Sequence, residues 1–153
     1  MLCVTQLHTS IKIIILFSLI RAVRRYAKIV KMKNKRMIAE KIRSGERFSV
    51  TTDEYTSLQV KRFSAVSLHP PSGRPIKLGM VRIYGSLPGI KAASELKKKL
   101  NEYGVKEDHH TVANTTDGAS VMKTMGRQFT AAHQICHSHG IHLAGKMNRQ
   151  GVT

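Results

Sequence analysis

From Phe48 onward the spacing of apolar residues changes, and the order of the resulting periods restricts the fold more than any other feature. Phe48 to Thr52 and Gln59 to Leu68 read as strands, the second with rough alternation at Val60, Phe63, Ala65, Val66 and Leu68. His69-Pro70-Pro71-Ser72-Gly73 is a turn cluster, and Ile76 to Tyr84 is a third strand. Pro88 opens a helix whose apolar residues Ile90, Ala93, Leu96, Leu100 and Tyr103 share one face, and Gly104 stands where a C-terminal cap belongs. Lys97, Lys98 and Lys99 occupy its last turns, where the helix dipole favours cations. Thr111 to Thr116 forms a fourth strand, Gly118 to Phe129 a helix, and Ala132 to Cys136 a fifth strand running into a helical stretch from His139. Three strands joined by short turns imply an antiparallel meander, and the helix-strand-helix-strand that follows adds crossovers. The expected class is α/β with a mixed sheet.

The preceding segment follows a different rule. From Leu19 to Arg43, apolar residues Leu19, Val23, Tyr26, Ile29, Val30, Met37, Ile38 and Ile42 recur at helical steps with basic residues between them. This predicts an amphipathic basic helix ended by Ser44-Gly45. The first 48 residues hold twelve of the 26 lysines and arginines and only two of the nine acidic residues. The whole chain carries a formal charge of +17, which attracts polyanions, nucleic acid first among them. Arg24, Arg25, Lys33, Lys35 and Arg36 are the candidate phosphate contacts; a solvated basic face is the plainer reading of the same run.

Ile11 to Ile20 is apolar but interrupted by Lys12 and half the length of a membrane span, and RAVRR after it is a poor signal-cleavage site. It reads as the start of a buried helix or as unrelated upstream sequence, not as an anchor, so no membrane partner is expected. Two widely separated cysteines, Cys3 and Cys136, point to a reducing compartment, nucleus or cytoplasm. The expected organisation is an unassigned apolar segment over 1–18, the basic helix over 19–46, one α/β unit over 47–145 and a tail over 146–153.

Two acidic residues stand where strands are expected to end, Asp53 in TTDEYTS closing the first strand and Asp117 in NTTDGAS closing the fourth. If a right-handed crossover lays the fourth strand parallel to the first, the two carboxylates converge at one sheet edge. Carboxylate oxygens there would hold a hard divalent cation of the kind that assists phosphodiester displacement. Spacing alone favours a simpler role, because Asp before Gly or Thr is a common turn and N-cap residue. His133, Cys136, His137, His139 and His142 cluster within ten residues. A tetrahedral zinc site usually draws ligand pairs from two separate segments, so a structural role is preferred for them. Cys136 follows Ile135 on an apolar strand, where a thiol tends to be inert. No glycine-rich phosphate loop or nucleotide fingerprint occurs, so no small-molecule cofactor is expected.

The wording of several segments in fixed order carries a resemblance. FSVTTDEYTS, RFSAVSLHP, LGMVRIYGS, the lysine-rich helix, TVANTTDGASVMKTMGR and ICHSHGIHLA resemble the first half of the catalytic domain of hAT-superfamily transposases and their BED-zinc-finger relatives, over roughly residues 21 to 145. The resemblance implies an RNase H-like fold, here incomplete, with two metal-binding aspartates, Asp53 and Asp117, and Mg2+ or Mn2+ as cofactor. It also implies that Cys136 and His139 match the family's Cys-x-x-His element beside the active site. Tyr55 stands where members often have tryptophan. The family's third acid is a glutamate beyond a helical insertion, whereas no acidic residue follows Asp117 here; the BED finger and the C-terminal dimerisation region are absent too. The expectation is a truncated or domesticated transposase-type protein, basic enough to hold DNA non-specifically in the nucleus but catalytically incomplete alone, with exposed apolar surface favouring homo-oligomers. The alternative is a basic nucleic-acid- or protein-binding module without catalysis.

Overall fold

The computed structural model describes residues 2–84, 88–138, 140 and 141, with side chains from residue 16 onward. Its contacts divide the chain into two units, residues 1–33 and 34–153.

Helix α1 spans Leu2–Arg43 as one element. It starts well before Leu19 because the chain has neither glycine nor proline until Gly45, so nothing interrupts the helix across the apolar run. The expectation that this run is buried does not hold for the side chains described: Leu16, Phe17 and Leu19 are all more than half exposed. Within the second unit the last turns of α1 are anchored. Ile38 is fully buried in the core, Met37 and Ile42 pack against it, and the Asn34 side chain donates to the Lys77 carbonyl at 2.9 Å. Gly45, with φ 81°, turns the chain toward the sheet. Glu46 then accepts the Ser72 hydroxyl at 2.9 Å and pairs with Lys41 at 3.1 Å. The Ser72 hydrogen bond, ahead of the Lys41 ammonium, holds the Glu46 carboxyl below its ordinary range.

The sheet has five strands, β1 (Phe48–Thr56), β2 (Arg62–His69), β3 (Ile76–Ile83), β4 (Thr111–Thr116) and β5 (Ala132–Ile135), in the order β3-β2-β1-β4-β5. β1, β2 and β3 pair antiparallel; β4 pairs parallel with both β1 and β5. The mixed α/β sheet is thus the one the element order implied. β2 begins at Arg62, later than expected, because Val60 adopts φ 56° in a turn closed by Ser57 and Lys61. β1 runs past Asp53 to Thr56, because its ladder with β2 continues four residues beyond its ladder with β4.

Helices α2 (Gly89–Asn101) and α4 (Ser120–Gly126) join β3 to β4 and β4 to β5, and a short turn of helix α3 (Glu107–His110) precedes β4. One face of the sheet, with Phe48, Val50, Val66, Leu68 and Leu78, shares a core with Ala93, Leu96 and Leu100 of α2 and Met122 and Met125 of α4. Ile90, expected on the buried side of α2, is 66% exposed. The reason is Gly89, which lies so close to α4 that a Cβ there would come within 2.6 Å of the Thr124 Cβ, so the helix turns its 89, 92, 93, 96, 100 side inward. After α2 the chain reverses at Gly104, φ 78°, and the Tyr103 hydroxyl donates to the Leu78 carbonyl at 2.8 Å. On the opposite face, Ser49, Thr51, Asp53 and Tyr55 of β1 and Phe63, Ala65, Ser67 and His69 of β2 are all half-buried or exposed.

A candidate metal-binding cleft between strands β1 and β4

The strand connections leave one gap. From β1 the chain turns through a hairpin to β2, while from β4 it crosses through α4 to β5 on the other side. Since the chain leaves the two strands in opposite directions, a crevice opens at their carboxyl ends, the usual place for a ligand in an open α/β sheet. Thr52 pairs with Thr116 at the last step of the parallel ladder, so Asp53 and Asp117 are the next residue on each strand path. Both line an open cleft of about 360 Å³ with Thr51, Thr52, Thr115, Thr116, Cys136 and Ser138.

Alternation decides where Asp53 sits. Val50 and Thr52 are buried on the core side, and Asp53 is exposed on the other. Asp117 is half-buried, and its Oδ1 accepts the Ala119 backbone N–H at 3.2 Å. This is the turn role that such a residue commonly plays. It engages one lone pair of one oxygen and leaves the rest of the carboxylate available.

Glu46, Glu54, Glu95, Glu102 and Glu107 each lie within 4 Å of a lysine or arginine nitrogen. Among the described residues four acids lack a lysine or arginine partner, Glu40, Asp53, Asp108 and Asp117, although basic residues outnumber acidic ones 26 to 9, and of these four only Asp53 and Asp117 share a cleft. Two unpaired carboxylates with threonine and serine hydroxyls nearby make a hard-oxygen donor set that suits one Mg2+ or Mn2+, with water or a phosphate filling the remaining positions. The set is too small for a two-ion clamp: among the described residues no group of three or more His, Cys, Asp or Glu could hold a metal.

The histidine-rich segment is placed by packing. The Cys136 N–H donates to the Thr116 carbonyl at 2.8 Å, which extends the β4–β5 ladder and puts the half-buried thiol at the cleft. His139 and His142 lie outside the described residues. His133 points to the helix side, with Nε2 2.9 Å from the Thr116 hydroxyl, which also donates to the Asp117 carbonyl at 3.0 Å. Its ring lies against Gly126, where an added Cβ would come within 2.2 Å of the ring. Gly126→Ala is therefore expected to displace His133, break its contact with Thr116, and cost about 1–3 kcal/mol in a denaturant melt. A change below about 0.5 kcal/mol would mean that His133 does not support Thr116 and the Asp117 turn behind it.

Of the basic candidates, Arg24, Arg25, Lys33 and Arg36 are exposed on α1 and Lys35 is half-buried. Sequence reasoning missed Thr51, Thr115 and Ser138 at the cleft, because only the parallel pairings of β4 with β1 and with β5 bring them there. It also missed the buried Glu107, which pairs with Lys97 at 3.1 Å. Among the described residues no helix is long and apolar enough to cross a membrane. No known family model and no curated protein matches the chain.

Proposed function

We propose that residues 47–145 are the front part of an RNase H-like catalytic core of the hAT transposase kind, in which Asp53 and Asp117 hold one Mg2+ or Mn2+ against a DNA phosphate. One observation carries this reading: the parallel β1–β4 pairing brings both aspartates, which have no lysine or arginine partner among the described residues, to the same cleft. The sheet order, with a meander followed by two crossovers, supports it. When bound, the ion would polarise a phosphodiester oxygen and orient a nucleophile. The two aspartates hold the ion, and the hydroxyls of Thr51, Thr115 and Ser138 provide neutral donors around it. The two aspartates and the hydroxyls around them amount to a one-ion site, so the reading proposed for residues 47–145 is a metal- and DNA-holding half-site acting in the nucleus.

The decisive test is a thermal melt with and without Mn2+, beside Asp53→Asn/Asp117→Asn. A ligand that binds only the folded chain at about tenfold over its Kd stabilises it by about 1.4 kcal/mol. That corresponds to an upward shift of about 3–6 °C in the parent and none in the double variant. Equal shifts in both proteins, or none in either, would remove the metal site. A binding module without catalysis is the second reading, favoured by the exposed cations of α1. Its mark is nucleic-acid binding that survives the loss of both aspartates.

A further inference from the structure

Helix α1 has two unlike sides. Leu16, Leu19, Val23, Tyr26 and Val30 recur at steps of three and four and so line one side. Leu16 is 56% exposed, Leu19 59%, Val23 59% and Tyr26 69%. Arg21, Arg24, Arg25, Lys28, Lys31 and Lys35 fall on the other side, with the exposed Phe17 and Met32 among them, and Glu40 is the only acidic residue of the whole helix. None of the five apolar residues belongs to the core of the second unit. A continuous apolar stripe of this length in water calls for a cover.

Three kinds of cover satisfy the two sides unequally. A nucleic acid neutralises the cations and leaves Leu19, Val23 and Tyr26 in water. A second copy of the helix buries the apolar side but brings two strongly basic helices together with no acids to offset them. An anionic bilayer surface takes the apolar side into the boundary between headgroups and acyl chains, while its negative potential attracts the cations. Lys33, which stands next to the apolar side at its end, can extend its ammonium to the headgroups along its aliphatic stem.

We infer that the 16–33 portion of α1 binds anionic lipid surfaces, lying in the plane of the interface and not crossing it. The site is independent of the Asp53–Asp117 cleft, and its ligand is the headgroup layer of an acidic phospholipid membrane. Binding is in two parts. The electrostatic part adds about fivefold per cation near the surface. The apolar part follows the area of Leu16, Leu19, Val23 and Tyr26 removed from water and is insensitive to salt.

The test is co-sedimentation of the full chain with vesicles of phosphatidylcholine alone and of phosphatidylcholine with about 30% phosphatidylserine, an acidic leaflet composition. The chain is expected to bind the acidic vesicles much more tightly. Arg24→Gln/Arg25→Gln/Lys28→Gln should weaken that binding about a hundredfold. Leu19→Ser/Val23→Ser keeps every charge and should weaken it about tenfold or more. At about 1 M salt the parent should retain part of its binding, whereas Leu19→Ser/Val23→Ser should retain none. All of these positions are exposed, so the thermal melt of each variant should match the parent's.

Three results would overturn the inference. The first is no binding to acidic vesicles. The second is binding that Leu19→Ser/Val23→Ser leaves unchanged and salt abolishes, which marks a polyanion site. The third is a dimer in sedimentation velocity that depends on Leu19 and Val23 and does not take up vesicles.

Discussion

Phe48→Ala is expected to leave a chain that barely folds. Phe48 is fully buried at the first position of β1, in the same core as Ile38 of α1, Leu68 of β2 and Leu100 of α2. Truncating a buried phenylalanine costs about 3–5 kcal/mol, from lost transfer energy and from the cavity left behind. Small domains have only about 5–15 kcal/mol in total, so most of the margin goes. The readout is the far-ultraviolet melt, expected to fall by more than about 10 °C or to lose its cooperativity. Phe63→Ala is the control, because Phe63 lies half-buried on the opposite face, stacked 5.5 Å from Tyr55. It should cost about 1 kcal/mol, the value of an aromatic cross-strand pair. If Phe48→Ala melted like Phe63→Ala, the division of the sheet into a core face and an open face would be wrong.

The second large effect is expected at the Lys97–Glu107 pair, which ties α2 to the turn before β4. Glu107 is 8% exposed, accepts the Thr130 N–H at 2.5 Å and lies 3.1 Å from Lys97. Lys97→Met keeps the aliphatic stem and removes the charge, so a nearly buried carboxylate loses its cation. Breaking a fully buried pair costs about 3–5 kcal/mol. Because the Lys97 side chain is 39% exposed, solvent screens part of that and about 1–3 kcal/mol is expected. Adding Glu107→Gln should recover much of the loss, since the amide oxygen still accepts from Thr130 and no charge is left unpaired. A double-mutant cycle in urea checks this. Additive losses would show that the two side chains act separately.

Some of this architecture is legible in the sequence and some is not, for identifiable reasons. β4 spans Thr111–Thr116 as expected, because a run rich in β-branched residues is bounded by a helical turn on one side and Asp-Gly on the other. The fold class follows from the order of periods, since a meander followed by two crossovers leaves few sheets to choose from. The start of α1 was misplaced because amphipathicity marks only part of a helix that extends back through a polar stretch and an apolar run with no glycine or proline to stop it. Ile90 was misplaced because periodicity counts apolar residues, and Gly89 sets the buried side by close backbone approach, which leaves no hydrophobic signal. At the cleft, Asp117 and Cys136 were found because each follows a strand, and Asp53 because the first strand was read as ending at it, although β1 continues to Thr56. Thr51, Thr115 and Ser138 depend on register, which local sequence does not encode.

The parallel β1–β4 ladder also fixes when the cleft exists during folding. The hairpins β1–β2 and β2–β3 close over short stretches of chain, so they can form early and without help from distant sequence. The β1–β4 pairing must bring together segments some sixty residues apart, as Arg47 and the Thr111 carbonyl are, 64 residues apart and 3.0 Å in space. Closing that loop costs more entropy than closing either hairpin, and the contacts of α2 with the sheet help to offset it. Asp53 thus waits on an early meander for Asp117, which arrives with β4. Partial unfolding that detaches β4 would dismantle the cleft while leaving the meander paired.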